Sequence, residues 1–185
     1  MATNTPKAEY LQHGLTLVEM SFVLGIISLV ATWGFPSLEN TLMSVRAQGV
    51  SAAMSTDLAW ARLAAVTRGR PTQLCPSVDG TSCSPTNHWN AGWIGFVDDD
   101  GNHQPSATET IAIRHEALSS GVRLSSSPGR LKIRFLPDGR SAGSNATLEI
   151  CTHERLRSSV IVNNVGRVRT ERFRAAFGCR IDQTP

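Results

Sequence analysis

The chain has 185 residues, 41% of them hydrophobic and 18% charged, with a formal net charge of +3. About a quarter charged is usual for a soluble globular chain, so the charge fraction is low, and much of the apolar excess sits between Leu15 and Phe35. The mild net charge gives no ground for nucleic-acid binding by bulk attraction, and the length fits one domain with an appendage.

Residues 1–14, from Met1 to Gly14, are polar and short. Residues 15–35 are almost wholly apolar, with Glu19 the one ionisable side chain among them. The run reaches the length of about 20 residues that a bilayer-spanning helix needs. It is too long for the apolar core of a secretory signal, lacks a clean small-residue cleavage site and is interrupted by a carboxylate. A plain anchor explains the length but not Glu19, since a charge inside a membrane helix costs roughly 2.5–3.5 kcal/mol and calls for a partner.

Gly14 followed by Leu15-Thr16-Leu17-Val18-Glu19 resembles the type IV prepilin signature, with Leu15 in place of the usual Phe. The resemblance implies a leader of residues 1–14, cut after Gly14 by prepilin peptidase, and N-methylation of the new amine on Leu15. Pro36 sits where pilins often carry a helix-kinking proline. An ammonium on Leu15 of one subunit can neutralise Glu19 of its neighbour, which removes the penalty of an unpaired carboxylate in lipid. Glu19 is therefore the expected assembly residue.

Beyond a membrane and polymerisation helix over 15–36, an amphipathic helix is expected over 37–70. Leu38, Leu42, Val45, Gly49, Ala53, Trp60, Leu63 and Val66 recur near helical spacing and are expected to pack on a head. Arg68-Gly69-Arg70-Pro71 is a stop signal, with cations in the last turn and then Gly and Pro. From Leu15 to Arg68 a continuous helix would measure about 80 Å at ~1.5 Å per residue, with Pro36 and Gly49 as expected bends.

Residues 71–185 change texture. Short β-like runs at 72–75, 93–97, 110–113, 122–124, 131–136, 147–151, 158–162 and 165–169 alternate with turns such as Pro137-Asp138-Gly139 and Asn163-Asn164. They predict a small antiparallel sandwich or two packed sheets. Leu74-Cys75-Pro76, Cys83, Trp89 and Gly92-Trp93-Ile94-Gly95-Phe96-Val97-Asp98 resemble the C…C…W…GW…F…D pattern of the GspH/FimT group of pseudopilins and minor pilins. The implied fold class is α+β, a long membrane-spanning N-terminal helix packed on a β-sandwich head.

The four cysteines admit three pairings. The short Pro/Gly/Ser-rich loop between Cys75 and Cys83 suits a local staple, which leaves Cys151 with Cys179, but the sequence does not choose rigorously. A zinc site using His88 or His153 fits no standard spacing. Asp98-Asp99-Asp100-Gly101-Asn102 is oxygen-rich enough to suggest calcium; the rival reading is a solvated hairpin turn.

Of the 18 basic residues only Lys7 and Lys132 are lysine, and arginines concentrate from Arg155 to Arg180. Gly166-Arg167-Val168-Arg169 matches the G-R-x-R motif that the FimT branch uses to bind DNA, and strand alternation would put Arg167 and Arg169 on one face. With Arg172 and Arg174 they form a candidate phosphate-gripping patch; a solvated face with Arg–Glu pairs is the plainer alternative. No catalytic or cofactor motif is expected from the residues. The resemblance implies a minor pilin or pseudopilin near the tip of a type II secretion pseudopilus or type IV pilus. Its expected place is the bacterial inner membrane, single-pass, with the head in the periplasm. Its partners would be other minor pilins or pseudopilins, the major subunit and prepilin peptidase. The alternative is a DNA-binding minor pilin serving natural transformation.

Overall fold

A computed structural model describes residue 14 and residues 16–179, without the side chains of 33–37 and 174–176. Its elements in chain order are helix α1 (Leu17–Arg68) and strands β1 (Thr72–Pro76), β2 (Trp93–Val97), β3 (Ile111–His115), β4 (Val122–Ser126), β5 (Ile133–Phe135), β6 (Ala146–Thr152), β7 (Arg155–Val162) and β8 (Val168–Gly178). The chain divides into two compact units, one up to Asn40 and one from Thr41 onward.

Thr16 starts the helix: its hydroxyl accepts the amide of Glu19 at 3.2 Å and its carbonyl accepts that of Met20. A threonine with a glutamate three residues on is a capping-box sequence, so the Thr-x-x-Glu spacing has a local helical role. The helix continues without interruption through Pro36 and Gly49 and ends at Arg68, where Gly69 takes φ 64°. A left-handed glycine after the last turn is the expected C-terminal stop. Among the described residues no helix is long and apolar enough to cross a membrane; Leu15 and the side chains of Trp33 and Phe35, part of the apolar run, lie outside the description.

All strands pair antiparallel, in two sheets ordered β3-β2-β1-β5 and β4-β6-β7-β8. Each of the eight runs read from the sequence overlaps a strand: 93–97 coincides with β2, the others differ at their ends, and 165–169 shares only two residues with β8. Both sheets and the later part of α1 share one core. Ala47, Met54, Leu58, Ala61 and Ala65 of α1 meet Leu74, Trp89, Trp93, Leu124, Phe135, Ile150 and Val160, among others.

Of the helix positions expected to pack on the head, Ala53 and Trp60 lie against this core, and the larger aliphatics do not. Val45, Leu63 and Val66 are 60%, 62% and 51% exposed, and Leu38 and Leu42 are also exposed. The buried stripe is instead rich in alanine, at positions 47, 61, 64 and 65. Small residues let the helix axis come close to the sheets, and Met54 and Leu58 are the large side chains fully buried on that face. The bulky aliphatics lie around the rest of the helix, so α1 is apolar on more than its buried face.

Candidate assembly surface and arginine turn

Glu19 sits in the first turn of α1, exposed, at the third helical position after the cap. A carboxylate there complements the positive helix end. Gly14 is exposed, whereas Leu15 and residues 1–13 lie outside the described residues, as do the leader and the methylated amine expected of them.

Further along α1, Leu63, Val66 and Ala59 form one wall of a groove whose other wall is made by Asp138, Gly139, Gly166, Arg167 and Val168. Its floor is fixed by Arg62. The guanidinium donates through Nε to the Gly139 carbonyl at 3.0 Å and through Nη2 to the Val165 carbonyl at 3.4 Å. One side chain thus ties the helix to the turns after β5 and before β8.

The arginine motif takes a different shape from the one expected. Gly166 and Arg167 belong to the β7–β8 turn, and β8 begins only at Val168. Asn163 holds that turn: its carbonyl accepts the Gly166 amide at 2.8 Å and its side-chain oxygen accepts the Arg167 amide at 2.8 Å. Strand alternation therefore does not relate Arg167 to Arg169. A β-carbon on Gly166, at φ 78°, would overlap the carbonyl oxygen of Gly139, so the glycine is required by close backbone approach.

Arg167, Arg169 and Arg172 are all exposed. Arg169 pairs with Glu171 at 3.2 Å, and an exposed pair of this kind contributes little to stability. Arg172 lies beside a separate cleft with Arg157 and Phe173. The Arg174 side chain and Arg180 lie outside the described residues. The set is thus spread over a turn, an ion pair and a cleft.

The head carries disulfides Cys75–Cys83 and Cys151–Cys179, with sequence separations of 8 and 28. All four cysteines are thereby used, which leaves no thiolate for zinc beside His88 or His153. Asp98, Asp100 and Glu109 bring carboxylate oxygens within 4.8 Å of one another. The protein's own donors occupy them. Asp98 pairs with His103 at 2.9 Å, Asp100 accepts from the amide and side chain of Asn102, and Glu109 accepts the amides of Asp99, Asp100 and Ser106. That is the bonding of a self-satisfied turn.

Two features were missed in the sequence. Ser44, Gln48, Ser51 and Ser55 form a polar stripe on α1 at helical spacing, and Ser55 Oγ lies 2.9 Å from Thr170 Oγ1 of β8. The other is Asp57, a buried acid under Trp93 and His115, which no local motif announces.

A family profile described as "Type II transport protein GspH" matches residues 51–166, well over half of the chain. The chain belongs to the GspH family. The match runs from within α1 to Gly166 and so ends just before Arg167. A curated relative, the pilin-like protein PilA1 of Thermus thermophilus, is 24% identical over 165 residues, covering 86% of this chain and 99% of PilA1. Among solved structures, the type IV minor pilin FimU of Pseudomonas aeruginosa superposes with a TM-score of 0.54 at 17% identity, covering 72% of this chain and 90% of FimU. The minor pseudopilin EpsH from the type 2 secretion system of Vibrio cholerae gives 0.51 at 13% identity, over 69% and 97% of the two chains. At these identities the structural likeness bears on the fold: a GspH-family chain built as a helix on antiparallel sheets.

Proposed function

We propose that this GspH-family chain is a minor pilin or pseudopilin that works as a structural subunit near the tip of a type IV pilus or type II secretion pseudopilus. The observation that carries the reading is the second apolar face of α1. Val45, Leu63 and Val66 are exposed although the head has already buried its own helical stripe. Exposed aliphatics on one long helix suit packing against the helices of other subunits. In this reading residues 15–36 hold the chain in the inner membrane, the leader is cut after Gly14, and the amine of Leu15 pairs with Glu19 of a neighbour. The head stands in the periplasm, where its two disulfides are stable.

The test is expression of the full chain in a host with its pilus or secretion machinery and prepilin peptidase. N-terminal mass analysis should find Leu15 first and methylated. Glu19→Ala should be processed normally but enter filaments poorly; normal incorporation of that variant, or an intact leader beside active peptidase, overturns the reading. The DNA-binding alternative rests on the exposure of Arg167, Arg169 and Arg172. Replacing Arg167 and Arg169 together by Gln should weaken DNA retention and flatten its salt dependence if that alternative holds; unchanged retention rejects it.

A further inference from the structure

The polar stripe of α1 faces a cleft of about 270 Å³ between the helix and β7–β8. Ser44, Gln48 and Ser51 line it from the helix; Arg157, Ser158 and Arg172 line it from the sheet. Ser51 and Ser158 are only 4% and 3% exposed. Among the described residues neither Ser51 Oγ nor Ser158 Oγ has a hydrogen-bond partner. Buried hydroxyls are almost always bonded, and each exception calls for an explanation. A serine in a helix ordinarily bonds back to the preceding turn, as Ser55 does to the Ser51 carbonyl at 2.8 Å; the Ser51 hydroxyl does not.

The two guanidiniums give the cleft its chemistry. Arg157 is anchored by a bond from Nε to Thr152 Oγ1 at 2.6 Å, which leaves its terminal amino groups outside that contact. Arg172 stands opposite Ser158 in the β7–β8 register. Guanidinium forks beside hydroxyl donors are suited to an oxyanion, because several short charge-assisted bonds converge on one group. Among the described residues no carboxylate lines the cleft, so a bound anion meets no like charge from them.

We propose that this cleft is an oxyanion site for a phosphate group, held by Ser51, Ser158, Arg157 and Arg172. It is distinct from the G-R-x-R turn, and it holds whether or not the subunit assigned above enters a pilus or a pseudopilus. The group comes either from a soluble phosphate or from a phospholipid headgroup, which present the same tetrahedral oxyanion.

The experiment titrates inorganic phosphate into the full-length chain in a maltoside detergent, at constant ionic strength held with chloride. Calorimetric heat and the thermal midpoint are read together. Saturable binding with a rise in the midpoint is expected, and Arg172→Gln and the Ser51→Ala/Ser158→Ala pair should each weaken it about ten-fold or more. Arg114→Gln, on β3 and outside the cleft, should bind like wild type. Displacement of phosphate by phosphatidylglycerol nanodiscs assigns the site to a headgroup, and absence of displacement assigns it to a soluble phosphate; both uphold it. Phosphate that gives no saturable signal, or that binds the Arg172 and serine variants as tightly as wild type, overturns the proposal. Because the wild-type titration alone can reject the site, misfolding of a variant does not shelter it.

Discussion

The indole of Trp93 donates through Nε1 to Asp57 Oδ2 at 2.8 Å, joining β2 to the later part of α1 inside the core. His115 of β3 reaches the same oxygen through Nε2 at 3.0 Å and stacks on the Trp93 ring, with centroids 4.4 Å apart. Burial holds the Asp57 carboxyl above its ordinary value of 3.8, while the bond from Trp93 and the interaction with His115 pull the other way. A raised folded-state value means the folded protein holds that proton more tightly than the unfolded chain. The stabilisation is therefore full below the unfolded value and lost as pH rises through the folded one. Asp57→Asn keeps an acceptor for Trp93 and removes the titration. In a His115→Gln background, urea midpoints from about pH 3 to about pH 8 should show the Asp57 protein losing ground to the Asn variant as pH rises. Parallel profiles would show that burial does not shift this acid.

Gly166 and Gly139 approach so closely that no side chain fits between them. Gly166→Ala must leave its left-handed conformation or push away the Gly139 carbonyl, which also breaks the bond from Arg62. Backbone strain of this kind is of the order of 1–3 kcal/mol, and chemical denaturation should find a loss of about that size or more. Arg167→Gln, exposed beside it, should stay within about 0.5 kcal/mol of wild type. The contrast separates the structural part of the motif from whatever its arginines bind.

The two disulfides differ in the chain they close. With separations of 8 and 28 residues, the loop-entropy relation gives about 2.5 kcal/mol for Cys75–Cys83 and about 3.6 kcal/mol for Cys151–Cys179. Replacing each pair by serine should reproduce that order in denaturant midpoints. Cys151 and Cys179 also pack with Leu156 and Phe173, so a reversed order would place the dominant stabilisation in the staple loop and not in closure of the last strands.

Much of the head was legible from residue types. The alternating runs that became β1 to β8, the stop at Arg68-Gly69, and the Gly-Trp strand at β2 follow from local chemistry and need no distant partner. What sequence alone could not settle was which helical face turns inward, because Leu63 and Ala61 are both apolar and only the depth of the sheets decides between bulk and close approach. Arg167 was misplaced for a related reason. Val165 and Val168 read as one strand, but Asn163 captures two amides at Gly166 and Arg167 and delays β8. Asp57 and the cleft at Ser51 depend on residues brought together from far along the chain, so no spacing rule finds them.

The two faces of α1 give the sharpest test of the assembly reading. Val66 is exposed and Ala61 fully buried, although they lie within two turns of each other. Val66→Glu should leave the unfolding free energy of the isolated subunit within about 0.5 kcal/mol of wild type, as surface changes usually do. Ala61→Leu should overpack the interface between helix and sheets and cost about 1–3 kcal/mol. If the exposed face docks other subunits, the ranking inverts in filaments. Val66→Glu would then place a desolvated charge between packed helices and exclude the chain, while any folded Ala61→Leu protein would still be incorporated. Denaturation of the purified subunit and immunoblotting of sheared filaments measure the two effects separately. A Val66→Glu chain that enters filaments at wild-type levels would show that this face contacts solvent and not a neighbour.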